Sequence, residues 1–149
     1  MRVSGRQKPS LPGGVITGTG GQLSIQVLGT VMCIRCMGAW NENTAKQGHF
    51  TILESAECLI DQPWAVLMNL EEWTATTPEA TKWVTRCSRW MRGHNLVRNA
   101  TVTGPHVFAG EIYQDMLAPA PRDFQLRVFE SEDDGWEWLK TEGFGPSPD

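Results

Sequence analysis

The chain lacks an apolar run long enough to cross a bilayer, lacks a basic excess, and has only four cysteines in 149 residues. Each shortage excludes something. A spanning helix needs about 20 consecutive apolar residues, so no transmembrane segment is expected. The formal net charge of -4 argues against nucleic-acid binding, which is dominated by phosphate neutralisation. Arg2, Arg6 and Lys8 are followed by no apolar block, so the start does not read as a secretory signal, and a cytoplasmic location is expected. Internal repeats, a nucleophile elbow, a phosphate loop and a metal-ligand set are also missing. Cys33 and Cys36 lie three apart in an apparent strand, where an odd separation sends side chains to opposite faces. Cys58 and Cys87 fall on apolar helix faces, where a free thiol behaves as a small hydrophobe. Buried, reduced thiols are therefore expected, with no metal or other cofactor. None is needed for stability, because a domain of this length buries roughly 70% of its extended-chain surface.

What is present organises itself around Pro63 to Gly93. Ala65 to Leu70 is apolar without alternation, as in a strand covered on both faces. A polar loop from Glu71 to Thr76 follows, and then a helix with Thr77 as N-cap and Pro78 at its first position. Ala80, Trp83, Val84, Cys87, Trp90 and Met91 recur at helical spacing. Lys82, Arg86 and Arg89 take the opposite face, and Gly93 ends the helix.

Ahead of this unit, residues 1–22 are rich in Gly, Pro, Ser and basic residues and read as a flexible arm. Leu23, Ile25 and Val27 alternate as a half-buried strand. Gly29-Thr30 turns the chain into a second strand, Val31 to Met37, and the two form an antiparallel hairpin. Gly38 to Asn41 breaks that strand, Asn41 caps a helix, and apolar positions continue from Ala45 to Ile60 with His49 facing inward as a satisfied core histidine. Gly48 weakens that helix and marks close packing. After Gly93, His94 is expected in solvent. A strand at Val97–Thr103, a helix at His106–Leu117, a connector at Ala118–Pro121, a strand at Phe124–Val128 and a helix capped by Ser131 complete the order. Residues 143–149 read as a tail, frayed from Gly145 onward, and residues 23–142 as the domain. Helices alternating with strands after a hairpin require a largely parallel sheet with right-handed crossovers. The fold class is α/β: a small, mixed, mostly parallel sheet of about five strands with about four helices.

Gly38-Ala39-Trp40-Asn41, Pro63-Trp64-Ala65-Val66 with Asn69-Leu70 and Trp73, Thr77-Pro78-Glu79-Ala80, and Trp138-Leu139 together resemble the bacterial SpoIIAA-like proteins. Those belong to the STAS (sulfate transporter and anti-sigma-factor antagonist) superfamily, and the likeness covers roughly residues 23–142. The resemblance implies a domain of successive βα turns, usually non-enzymatic, that binds protein partners or, in some members, nucleotides or lipids. It also implies a phosphoacceptor Ser in an Asp-Ser-Ser-Gly-like motif. Here the corresponding positions read Thr76-Thr77-Pro78-Glu79, so the usual Ser is absent, and Asn69 stands where a strand-end Asp is common. This speaks against a kinase-controlled sigma-factor switch; Thr77 is a second candidate acceptor, although capping alone accounts for it.

Ligands of open α/β sheets sit beyond the carboxyl ends of parallel strands. That rule gathers Trp40, Asn41, Asn69, Glu71, Trp73, Thr76, Thr77 and His106, with Thr103 nearby, into a candidate polar-aromatic rim for a small-molecule, lipid or protein ligand. Each residue also has a structural reading: Asn41 caps, Trp40 and Trp73 cover the core end, and the carboxylates are solvated. Three functions remain. The first is a non-catalytic STAS-like binding module with a protein partner or as a homodimer. The second is a carrier or sensor of a small apolar or nucleotide-like ligand at the rim. The third is an enzyme with Glu71 or Glu72 as base and His106 as acid. Lys82, Arg86 and Arg89 are candidates for docking an acidic protein or a membrane surface.

Overall fold

The structure is a computed structural model that describes residues 14–16, 21–105 and 123–146. Six strands run in chain order across one sheet: β1 (Gly14–Ile16), β2 (Gln22–Leu28), β3 (Val31–Trp40), β4 (Trp64–Thr76), β5 (Leu96–Val102) and β6 (Gln125–Phe129). The β1–β2 and β2–β3 pairs are antiparallel, and the three pairs from β3 to β6 are parallel. Parallel neighbours require crossovers. Helix α1 (Glu42–Ser55), with a 3₁₀ turn at Ala56–Cys58, joins β3 to β4, and α2 (Pro78–Arg92) joins β4 to β5. Helix α3 (Glu132–Thr141) follows β6. The expected helix at His106–Leu117 and the connector to Pro121 lie outside the described residues.

Strand β4 lies inside the sheet between β3 and β5, and its residues from Trp64 to Leu70 are all buried. The unbroken apolar run is thus explained by cover on both faces. Trp64, Val66, Met68 and Leu70 face α1 and α2, together with Ala45, Ile52, Ala80, Cys87 and Met91. Ala65 and Leu67 face α3 through Trp138 and Leu139. Cys33 and Cys36 separate as the strand period requires, one in each layer.

Caps define the helix starts. Asn41 Oδ1 accepts from the Thr44 amide at 3.0 Å, Thr77 Oγ1 from Ala80 at 3.1 Å and Ser131 Oγ from Asp134 at 3.2 Å. Such caps satisfy amides that the helix itself cannot.

Several expectations are corrected. Gly14–Ile16, inside the expected arm, adds an edge strand, pairing from Gly14↔Ile25 to Ile16↔Leu23. Gly38 does not break β3, which continues to Trp40; its φ of +81° is taken up as a bend within the strand. The residues expected as a loop from Glu71 to Thr76 extend β4 instead, paired with β3 through Trp40↔Thr76. Nor is the segment from Gly145 free at its start: Thr30 N donates to Gly145 O at 3.1 Å, and Gly145 N donates to Thr30 Oγ1 at 3.1 Å. Cys58 is exposed rather than buried, because α1 tightens into the 3₁₀ turn before reaching it. His94 is half-buried: it stacks on Trp90 at 4.3 Å, and its Nδ1 lies 2.7 Å from Trp90 O.

Candidate functional site

The residues gathered into one rim by sequence separate into two sites on opposite faces of the sheet. The cause is a pair of register shifts between β3 and β4. Arg35 pairs with Asn69 but Met37 with Glu72, and Gly38 pairs with Trp73 but Ala39 with Ala75, so β4 carries an extra residue at each step. A bulge of this kind breaks the two-residue alternation of a strand. Leu70 and Trp73 consequently share the α1–α2 face, while Asn69 and Glu71 meet α3. Trp40, Asn41, Thr76 and Thr77 lie further along, roughly 20 Å from Asn69 at ~3.3 Å per residue.

The first site is a polar lip midway along β3 and β4, level with the end of β5 through Asn69↔Val102 and under the N-terminus of α3. Arg35 grips Glu132 with two hydrogen bonds, Nε to Oε2 at 2.9 Å and Nη2 to Oε1 at 2.8 Å. Asn69 Nδ2 donates to Glu132 Oε2 at 2.7 Å and to Glu71 Oε1 at 3.0 Å, and its Oδ1 accepts from the Glu71 amide at 2.8 Å. One buried amide thus ties two carboxylates and its own strand together. Gly104 sits against Glu71: a β-carbon there would lie 3.0 Å from Oε2. Burial works to lower the Arg35 pKa, but the hydrogen bonds and charge of Glu132, with Cys33 and Glu71 adding, outweigh it and hold the guanidinium above its ordinary value. Cys36, Met37, Glu72, Ser131 and Asp133 complete the lining of an open groove of about 500 Å³. Its charged groups are four carboxylates and one guanidinium. Among the described residues no group of three His, Cys, Asp or Glu side chains is placed to hold a metal ion.

The second site lies inside the α1–α2 face. Trp40 is buried, its Nε1 donates to Met37 O at 3.2 Å, and its ring meets Trp73 edge to face at 6.4 Å. Beneath them is a cavity of about 40 Å³, lined by apolar residues with His49 and Trp73. This volume accommodates water but not a drug-sized molecule. His49 Nδ1 and Trp73 Nε1 are both buried without a hydrogen-bond partner among the described residues, so the expectation of a satisfied core histidine is corrected. Burial, with Arg86 nearby, lowers the His49 pKa. Cys36 and Cys87 line the same cavity; burial raises both thiols, Cys87 to about 12, which leaves them without thiolate character.

Of the other candidates, Asn41 and Thr77 act as caps, with Thr77 N also donating to Trp40 O at 3.1 Å. Thr76 lies at the end of β4, and His106 is outside the described residues. Lys82, Arg86 and Arg89 are exposed on α2, as the helical spacing requires. The residues missed by sequence reasoning are Arg35 and Glu132. Arg35 interrupts the apolar run Val31 to Met37, and Glu132 opens a capped helix; the signal was a charge in a strand otherwise buried on both faces.

An antiparallel hairpin leading into parallel βα turns, with a polar lip between the sheet and the start of α3, defines a small α/β domain. The chain has a SpoIIAA-like fold. It is similar to an uncharacterized protein of the DUF3478 family with a SpoIIAA-like fold from Shewanella loihica PV-4. The TM-score is 0.56 at 16% identity, covering 89% of this chain and 98% of that one. No protein-family model matches the chain, and no curated protein matches it. No helix among the described residues is long and apolar enough to cross a membrane.

Proposed function

We infer that the protein is a non-catalytic binding module of the STAS-like kind that engages a protein partner at the polar lip. The observation that carries this reading is the Asn69 amide holding the Glu71 and Glu132 carboxylates together at the mouth of a groove. Side chains fixed in this way lose little further entropy on binding, which favours recognition. Four carboxylates against one guanidinium suit a partner that presents a basic side chain. Thr77 Oγ1 is engaged as a helix cap, which supports a module that works without the usual phosphoacceptor Ser. The test is affinity capture and size-exclusion chromatography with the wild type and with Glu71→Gln/Glu132→Gln. A partner, or a second copy of the chain, retained by the wild type and lost by the double variant supports the lip. Capture indifferent to the substitutions removes it.

A second reading, a carrier of a small apolar ligand, is favoured by one observation. Among the described residues, His49 Nδ1 and Trp73 Nε1 find no partner in the lining of the α1–α2 cavity, and buried polar atoms normally have partners. A ligand larger than water requires α1 and α2 to part. Native mass spectrometry of the purified protein checks this directly: an added mass that disappears in Trp73→Ala supports the carrier, and an empty protein unmoved by a panel of apolar compounds ends it.

A further inference from the structure

The outer surface of the α1–α2 layer carries a second feature that neither the lip nor the cavity uses. Lys82, Arg86 and Arg89 project from α2 at helical spacing, and all three are exposed. Lys46 of α1 joins them across Trp83: its ammonium lies 5.9 Å from the ring centroid, and the Arg86 guanidinium lies 4.8 Å from it. None of these four cations makes an ion pair with another described residue. Beside them is Phe50, 51% exposed and the one large apolar side chain so placed among the described residues. It packs on His49 at 5.0 Å and on Trp83 at 6.0 Å. One carboxylate touches the patch, Glu42 Oε2 accepting from Trp83 Nε1 at 3.3 Å, so four cations stand against one anion on a chain that is acidic as a whole.

We propose that this aromatic-cationic patch docks an acidic protein segment that carries an apolar side chain beside Phe50. Stacking on Trp83 presents the Arg86 guanidinium already oriented, and the planar fork of arginine matches a carboxylate with two hydrogen bonds. Lys82, Arg86 and Arg89 span roughly 10 Å of helix. An extended peptide places alternate side chains about 7 Å apart, so two carboxylates on one face of such a segment cover that length.

A bilayer is a poorer fit. Insertion needs a broad apolar helix face, and the apolar face of α2 is already committed to the core through Ala80, Cys87 and Met91. Nucleic-acid binding rests on neutralising many phosphates at once, which four cations on one short patch do not supply.

The test uses the full chain and fluorescence anisotropy with a short labelled peptide rich in glutamate and bearing one central phenylalanine. The wild type is expected to bind at low salt, with affinity falling as salt rises. Lys82→Glu/Arg86→Glu/Arg89→Glu should weaken binding by at least about tenfold. The corresponding triple glutamine variant, which keeps helix-favouring side chains, should fall between the two. Phe50→Ser should lose several-fold while keeping the same salt dependence. Glu71→Gln/Glu132→Gln should bind like the wild type, which separates this surface from the lip. Equal binding by wild type and both triple variants overturns the proposal. So does a wild type that binds phosphatidylglycerol vesicles or an oligodeoxythymidine but not the peptide.

Discussion

The two faces of this sheet deal with buried polarity in opposite ways. On the α3 face the central groups of the lip are partnered: Asn69 uses its amide twice and its carbonyl once, and Glu132 receives both Arg35 and Asn69. On the α1–α2 face the aromatic residues fit less completely, leaving a cavity and two nitrogens without partners among the described residues. A saturated network fixes geometry, whereas an unsatisfied apolar cavity leaves its lining free to repack. The first is suited to recognising a fixed shape and the second to admitting something that moves in. The difference arises within a single strand, because β4 alternates between the faces until its bulge.

Neighbouring residues on β4 provide the sharpest test. Leu67 is fully buried against α3, under Gly135, and Met68 is nearly so beside the cavity. Leu67→Ala should cost about 3–5 kcal/mol, by lost transfer energy and a new void. Met68→Ala should cost about 2–3 kcal/mol, because part of its surroundings is already empty and fewer contacts are lost. Urea unfolding of the two variants measures both. Equal costs would mean that the faces are packed alike.

Next in size is the lip. Glu132→Ala leaves the Arg35 guanidinium and one Asn69 amide hydrogen unpaired. With the Arg35 side chain 41% exposed, solvent compensates in part, and the expected loss is about 1–2 kcal/mol. Glu132→Gln can still accept one hydrogen bond and should recover about half of that. A Gln variant as unstable as Ala would show that charge rather than hydrogen bonding holds the lip.

The sequence was informative wherever one periodicity governed an element. Ala65 to Leu70 was legible as a two-sided strand, and Thr77-Pro78 and Ser131 as helix starts, because each follows from local geometry and the unpaired amides of a helix end. The winding followed from the alternation of elements. The site was less legible, because its composition depends on register. One extra residue in β4, between Asn69 and Glu72, places Trp73 on one face and Glu71 on the other, and nothing in Glu71-Glu72-Trp73-Thr74 marks a bulge. Arg35 and Glu132 are 97 residues apart, and their pairing exists only once β3 and α3 share a face. The bonds between Thr30 and Gly145 are equally non-local: Gly-rich chain ends look alike whether or not a turn elsewhere receives them.

Acid should expose the unsatisfied face. The His49 pKa lies below its ordinary value of 6.5, through burial and then Arg86. The unfolded chain therefore takes up its proton first as pH falls. Stability is full above about pH 6.5 and declines below it, until the pH passes the folded value and the decline levels off. Melting temperatures recorded from about pH 8 to about pH 5 should show this fall, and His49→Leu should flatten it while leaving the neutral-pH value within about 1 kcal/mol. An undiminished slope in His49→Leu would show that His49 is not the source of the acid sensitivity.

The smallest effect compares the same substitution on both faces. Glycine inside a helix costs up to about 1 kcal/mol relative to alanine, and Gly48 of α1 and Gly135 of α3 each press on the sheet. A β-carbon on Gly48 would meet Leu23 Cδ2 at 3.1 Å, the far end of a flexible side chain beside the cavity, which has room to yield. A β-carbon on Gly135 would meet Leu67 Cδ1 at 3.2 Å, Ala100 Cβ at 3.4 Å and Val102 Cγ2 at 3.5 Å. The Ala100 and Val102 approaches are ordinary van der Waals contacts, so Leu67 alone must yield, and it is fully buried away from the cavity. Gly48→Ala should therefore raise stability by a few tenths to about 1 kcal/mol. Gly135→Ala should be neutral or destabilising by about 1 kcal/mol, as read from paired urea midpoints. The opposite order would place the slack under α3 and the tight packing under α1, reversing the assignment of the two faces.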